Sequence, residues 1–118
     1  GLCIFFAVRN LAAKDLGVAP VGILEYLNAA TDADYTLQEL MQAGERIINA
    51  ERLFLTKAGF SRKDDSLPER LTKTPAPTGP AKGLVCHLDE MLDEYYKVRG
   101  WTENGIPTKK VLNRLGLA

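Results

Sequence analysis

Few places in the 118-residue chain carry side chains that could do chemistry. Cys86 and His87 are potential metal ligands, but adjacent residues on a helix point about 100° apart and make a poor ligand pair. With Cys86 expected on the polar side of its helix, the pattern is typical of an ordinary surface Cys–His. The sequence has no glycine-rich phosphate loop and no C-x-x-C pair. Residues 86 and 87 are therefore not predicted to form a metal site.

Two further candidates are a charged run and the other cysteine. The run Arg62-Lys63-Asp64-Asp65 is more typical of a solvated turn than of a site, and Asp64 or Asp65 could cap the turn that follows. Cys3 lies in an apolar stretch that runs from Leu2 to Val8. From composition alone a buried free cysteine is the ordinary interpretation, and a buried site is the alternative.

Glu51 interrupts the apolar face of the longest predicted helix. A buried carboxylate needs a cation, hydrogen-bond donors or a proton. We expect either an arginine of the same domain, such as Arg70 or Arg99, or a partner outside the chain. Leu53, which projects from the polar side of the same helix, also indicates contact with another domain.

Composition limits the function classes. Fifteen basic residues balance fifteen acidic ones, so a nucleic-acid partner is disfavoured. The apolar run at residues 2–8 is too short to span a membrane, and with two cysteines and no disulfide framework the default location is the cytoplasm. Because an apolar start is unusual for a complete protein, we interpret the chain as a fragment of a longer polypeptide.

The elements that position these residues are predicted to be helices. Thr36 to Gly59 is the longest periodic segment; Thr36 and Glu39 form a capping box, and Gly59 closes the helix. Its apolar arc is predicted to face the core and comprises Leu37, Leu40, Met41, Gly44, Ile47, Ile48 and Leu55.

Three further helical segments and one loop complete the prediction. Val18 to Ala30 forms a helical hairpin with the long helix, and Leu84 to Arg99 forms a second long helix ended by Gly100. Trp101 is expected to fold back over the core, and Thr108 to cap a short helix over residues 109–115. Residues 60–83 form an extended Pro-rich loop with one short helical turn, draped over a neighbour. No segment alternates with period two, so residues 1–118 are predicted to form one all-α domain.

Several sequence blocks, in order, resemble the C-terminal end of the aldehyde:ferredoxin oxidoreductase family. They are GERIINAERLF, GFSRKDDSLPERL, GPAKG, LDEMLDEYYKVRGWTENGIPT and LNRLGL. The resemblance runs from Gly1 to Leu117. Members of this family are tungsten- or molybdenum-pterin enzymes with a 4Fe–4S cluster, and their C-terminal domain is helical.

The resemblance changes the interpretation of Cys3. Gly1-Leu2-Cys3 matches the second half of the family motif D-x-x-G-L-C, in which the cysteine is the last of four cluster ligands. It implies that Cys3 is a metal ligand and that Gly1, Leu2 and Ile4 lie against a pterin. The motif's aspartate, the other cluster cysteines and most pterin contacts would lie upstream, so the fragment alone is expected to be inactive and free of cofactor.

The reaction implied by the resemblance is oxidation of an aldehyde to its acid, with electrons leaving through the 4Fe–4S cluster to ferredoxin. The implied partners are upstream domains of the same polypeptide, ferredoxin and an aldehyde, and a homodimer is left open. Two alternatives remain open. One is a family member with another substrate or the reductive direction, and the other is a non-enzymatic helical interaction module.

Overall fold

The computed structural model describes residues 21–118, with side chains from residue 23 onward. It contains five α-helices: α1 Val21–Thr31, α2 Leu37–Lys57, α3 Glu69–Thr72, α4 Leu88–Arg99 and α5 Lys109–Leu115. The described part contains two isolated β-bridges, at residues 76/82 and 101/107, and no β-strand forms there. The predicted all-α class is confirmed. None of the described helices is long and apolar enough to cross a membrane.

Two compact units divide the chain, Gly1–Glu45 and Arg46–Ala118. In the first unit, Asn28 fixes the turn between α1 and α2. Its side-chain amide donates to the Tyr35 carbonyl at 2.9 Å, and its Oδ1 accepts from the Tyr35 N–H at 3.1 Å. Asp32 has a φ of 52°, in the left-handed region, and this conformation contributes to the turn.

The start and the end of α2 follow the sequence prediction. The Thr36 N–H donates to Glu39 Oε2 at 2.8 Å, and the Glu39 N–H donates to Thr36 Oγ1 at 3.2 Å, so the capping box is confirmed. The Glu39 carboxylate also accepts from the Thr36 hydroxyl at 2.8 Å, and the hydrogen bonds that it accepts from the Thr36 N–H and hydroxyl lower the pKa of Glu39. At the other end Gly59 has a φ of 94°, and the Phe60 N–H donates to the Leu55 carbonyl at 3.0 Å.

The side of α2 that faces the core differs from the prediction. Asn49 and Arg52 are buried on it, while Leu37, Met41, Ile47 and Leu55 of the predicted arc are exposed. Glu51 is exposed with them, and none of the described ion pairs includes it, so the expectation that Arg70 or Arg99 pairs with it is wrong. Leu53 is half-buried and lies about 40° from Asn49 on the helical wheel. Specific hydrogen bonds, described below, outweigh the apolar pattern here.

Residues 60–83 contain two short helical turns and a self-bonded loop. A 3₁₀ turn spans Arg62–Asp64, and α3 follows after Pro68. Further on, the Ala76 N–H donates to the Leu84 carbonyl at 3.0 Å, and the Gly83 N–H donates to the Ala76 carbonyl at 2.9 Å. The chain thus satisfies part of its own backbone in a stretch where proline prevents a long helix.

The helix α4 begins four residues later than predicted. Leu84 and Cys86 use their backbone groups elsewhere: the Cys86 N–H donates to the Leu71 carbonyl at 2.8 Å. The predicted apolar face also differs, because Val98 and Met91 are exposed whereas Tyr96, predicted on its flank, is 3% exposed. Gly100 ends the helix with a φ of 69°, as predicted.

The last helix has the predicted bounds and closes at Gly116. Thr108 occupies the N-cap position, but its hydroxyl donates to the Gly100 carbonyl at 2.8 Å and not to the helix. Val111 and Leu115 are buried. Arg46 of α2 donates through Nε to the Leu115 carbonyl at 2.9 Å, which joins the C-terminal helix to α2 within the second unit.

Candidate functional site

The second unit is centred on the buried guanidinium of Arg52. Its Nη1 donates to Asp65 Oδ1 at 2.7 Å and its Nη2 to Asp65 Oδ2 at 2.5 Å, a bidentate charge-assisted pair. Its Nε donates to the Gly105 carbonyl at 2.7 Å. One side chain of α2 thereby holds the turn at residues 61–65 and the loop that follows α4.

Aromatic rings enclose the same guanidinium. Its central carbon lies 5.0 Å from the Trp101 ring centroid and 5.9 Å from that of Tyr96. The Tyr96 hydroxyl donates to Asp65 Oδ2. Trp101 Nε1 donates to Oδ1 of the fully buried Asn49 at 2.8 Å, so Trp101 folds back over the core as predicted. We call Asn49, Arg52, Asp65, Tyr96 and Trp101 the arginine cluster.

Gly105 is required where the loop meets the arginine cluster. It is buried and has a φ of 72°, a conformation that side chains other than hydrogen rarely allow. A Cβ at this position would clash with Arg52 Nη2 and lie 3.0 Å from Tyr96. Glycine therefore permits both the turn and the close approach of the guanidinium.

Arg62 supports the cluster from the solvent side. Its Nη1 donates to Asp93 Oδ1 at 2.5 Å, and its Nη2 donates to the Asp89 carbonyl at 3.1 Å. Its guanidinium carbon lies 5.5 Å from the Tyr96 ring centroid, and its N–H donates to the Asn104 carbonyl at 3.1 Å. Arg62 thus ties the 3₁₀ turn to α4 and to the loop before α5.

The protonation behaviour of the cluster follows from these contacts. The hydrogen bonds from Arg52 lower the pKa of Asp65, and the same pair raises the pKa of Arg52. Burial, with the hydrogen bond to Asp65, raises the pKa of Tyr96 to about 12. At neutral pH the cluster therefore consists of one cation, one anion and one neutral phenol.

The arginine cluster is suited to stabilising the fold of the second unit. The charges of Arg52 and Asp65 balance, and the Tyr96 hydroxyl is committed to Asp65. Among the described residues, every buried side-chain nitrogen or oxygen has a partner, and no group of three or more His, Cys, Asp or Glu residues is placed to hold a metal ion.

The sequence-predicted site lies elsewhere. Gly1, Leu2, Cys3 and Ile4 fall outside the described residues, so their assignment as pterin contacts, with Cys3 as the cluster ligand, stays a prediction. Cys86 precedes α4, is half-buried and lies with its Sγ 3.7 Å from Met91 Sδ. Its neighbour His87 is exposed, and in residues 21–118 neither belongs to a group of three or more His, Cys, Asp or Glu residues that could hold a metal ion.

The run at residues 62–65 is more than a solvated turn. Arg62 and Asp65 are half-buried and belong to the contacts described above, so the interpretation as a solvated turn is wrong for these two. Asp64 caps its own 3₁₀ turn by accepting from the Ser61 N–H at 2.8 Å, not the turn that follows. The sequence pattern did not indicate a role for Arg52, because its partners Asp65 and Gly105 lie 13 and 53 residues away along the chain.

Comparison with known proteins identifies the family of the chain. Residues 1–117 match the family model described as aldehyde ferredoxin oxidoreductase, domains 2 and 3. The chain belongs to the aldehyde ferredoxin oxidoreductase family. The predicted family resemblance is thus confirmed, and the family is one of oxidoreductases.

Three relatives illustrate the match. The tungsten-containing aldehyde ferredoxin oxidoreductase of Pyrococcus furiosus is 46% identical over 119 residues, which cover 100% of this chain and 18% of the relative. That of Thermococcus kodakarensis is 44% identical, with the same coverage. An aliphatic sulfonate oxidoreductase, WOR-like subunit, of Pyrococcus furiosus is 35% identical over 104 residues, 80% of this chain and 16% of the relative. The chain thus spans less than a fifth of the length of these relatives.

Proposed function

We propose that this chain is the C-terminal domain of a larger tungsten-pterin oxidoreductase that converts aldehydes to carboxylic acids. The single observation that carries the proposal is the end-to-end match to proteins named tungsten-containing aldehyde ferredoxin oxidoreductase, at 46% identity over the whole chain. Electrons leave through a 4Fe–4S cluster to ferredoxin in the cytoplasm, where thiols stay reduced.

Within this enzyme we assign one ligand to the chain. Cys3 supplies a thiolate to the 4Fe–4S cluster, which is the usual ligand for such clusters. Gly1, Leu2 and Ile4 contact a pterin. When bound, the tungsten–pterin centre supplies the two-electron redox chemistry, and the protein places it within reach of substrate and cluster. One thiolate does not hold a cluster that needs four, so the 118 residues alone bind no cluster and are inactive.

The structure of residues 21–118 is compatible with a supporting role in such an enzyme. The arginine cluster uses its charges internally and leaves no buried polar atom in this part of the chain without a partner. Contacts of this kind stabilise residues 46–118 and need no part in the reaction.

The experiment uses the full-length protein purified without oxygen. We expect tungsten, about four iron atoms per chain, and aldehyde-dependent reduction of an electron-accepting dye and of ferredoxin. Molybdenum in place of tungsten would change the metal assignment alone. A protein with neither metal nor iron would contradict the proposal and favour a non-enzymatic interaction module.

A second candidate is oxidoreduction of another substrate. The match to a protein named aliphatic sulfonate oxidoreductase, WOR-like subunit, supports it, although the identity is lower. The same preparation decides between the two, because metal and iron without activity on any of a set of aliphatic and aromatic aldehydes would exclude the first. Activity on sulfonates, or reduction of carboxylic acids with a strong reductant, would then establish the second.

A further inference from the structure

One side of α2 is apolar and uncovered. Ile47 is 58% exposed and Phe54 73% exposed, and Leu55 is exposed beside them. The buried residues Asn49 and Arg52 lie on the other side of the helix. Large apolar side chains gathered on one exposed face mark an interaction surface more often than isolated ones do. We call the side that carries Gly44, Ile47, Glu51, Phe54 and Leu55 the outer arc of α2.

Gly44 is a second observation on the same arc. Glycine in a helix interior is less favourable than other residues because it loses more backbone freedom on folding. A Cβ at Gly44 would meet no atom within 4 Å, so nothing within the structure accounts for the missing side chain. A close approach by another segment of protein does account for it, because glycine lets a neighbouring chain approach the helix backbone.

Glu51 defines the chemistry of what covers the arc. It lies between Ile47 and Gly44 on the helical wheel, it is exposed, and no ion pair of residues 21–118 includes it. When such a carboxylate is covered by an apolar surface, it needs a cation or several donors to offset the lost hydration. The complementary surface is therefore apolar with a lysine or arginine facing Glu51.

The length of the relatives identifies the occupant. The matched part is 18% of the aldehyde ferredoxin oxidoreductases of Pyrococcus furiosus and Thermococcus kodakarensis, so most of each relative lies outside it. We propose that the outer arc of α2 is the surface on which the remainder of the same, longer polypeptide packs, with one basic side chain paired to Glu51. This inference rests on the proposed function only in that the chain is part of a larger protein.

The test is hydrogen exchange of residues 37–57 in the full-length protein carrying Gly44→Leu. Leucine favours helix over glycine, so on an uncovered arc this change slows exchange in α2, on the order of fivefold. On a covered arc the added side chain has no room, docking is lost, and exchange rises at least about tenfold. The sign of the change thus decides the question.

The matched control is Gln38→Leu, which places the same side chain at an exposed position of the same helix, about 100° or more on the helical wheel from every residue of the outer arc. We expect exchange there to stay within about twofold of the unmodified protein. Should Gly44→Leu disrupt the whole domain, Glu51→Gln keeps the shape and removes the charge. It should raise exchange in α2 about threefold while leaving residues 109–115 unchanged.

Three results overturn the inference. They are slower exchange with Gly44→Leu, an unchanged rate with both Gly44→Leu and Glu51→Gln, and a rise that accompanies dissociation of a dimer into monomers by native mass spectrometry. The last would assign the arc to a second copy. Metal analysis of the same samples separates this inference from the proposed function. A protein without tungsten and iron can still show faster exchange with Gly44→Leu, and a protein with both metals can fail to show it.

Discussion

The helix α2 buries polar side chains and exposes apolar ones, which is the reverse of most surface helices. The side toward the core of the second unit carries the buried Asn49 and Arg52, whereas the outer arc carries the exposed Ile47, Phe54 and Leu55. The buried side is held by directed bonds, since Arg52 reaches Asp65 and Gly105, and Asn49 accepts from Trp101. Burial here follows from the availability of partners, and the apolar pattern indicates a second contact surface.

Removing the guanidinium should have the largest effect on this comparison. Arg52→Ala deletes a side chain that is 8% exposed and leaves the Asp65 carboxylate without its main partner. We expect the free energy of unfolding to fall by about 3–5 kcal/mol, the range for breaking a buried pair. Urea unfolding of the variant measures it. Arg70→Ala, at an exposed arginine, is the control and should change stability by less than about 0.5 kcal/mol. Equal effects would contradict the central role of Arg52.

The fit of the loop against the cluster can be tested at Gly105. Gly105→Ala places a methyl group against Arg52 and Tyr96 at a φ of 72°, so we expect a loss of about 2–4 kcal/mol. The control is Gly59→Ala, with a φ of 94° and no atom within 4 Å of the added carbon, which should cost only about 1 kcal/mol. The difference between the two unfolding free energies isolates the steric part. If it is zero, the guanidinium is not packed against this loop as described.

These residues also show what sequence patterns predict. The start of α2 and the end of α5 were predicted because a cap is a local signal, contained within Thr36–Glu39 and at Gly116. The start of α4 was not, because Cys86 bonds to the backbone of Leu71, a contact that periodicity does not encode. The buried side of α2 was missed for the same reason, since Gly105 is 53 residues from Arg52. The site at Gly1–Ile4 was predicted from family resemblance, not from any spacing of residues.

Acid should weaken the buried side of α2 through Asp65. The pKa of Asp65 is lowered in the folded state from its ordinary value of 3.8, so its contribution is complete above that value and is lost as pH falls toward the folded pKa. Stability measured by thermal unfolding should therefore decline as pH drops below about 4. In Asp65→Asn this part of the decline should disappear, and a variant that keeps the full acid dependence would contradict the assignment.

High pH should lower stability through the Tyr96 phenol, with a smaller effect than that of low pH on Asp65. The pKa of Tyr96 is raised from 10.0 to about 12, so its stabilising contribution is present below pH 10 and is lost as pH rises through 12. Tyr96→Phe should remove this alkaline loss while keeping the ring that packs against Arg52. An unaltered alkaline profile in the variant would show that another group titrates there.

The central claim, that the beginning of this chain ligates an iron–sulfur cluster, is tested most directly by comparing its two cysteines in the full-length protein. In Cys3→Ala we expect the iron content to fall and the electron paramagnetic resonance signal of the dithionite-reduced cluster to be lost. In Cys86→Ala, at a thiol that contacts Met91, the iron content and the signal should remain. Full iron and an unchanged signal in Cys3→Ala would contradict the account.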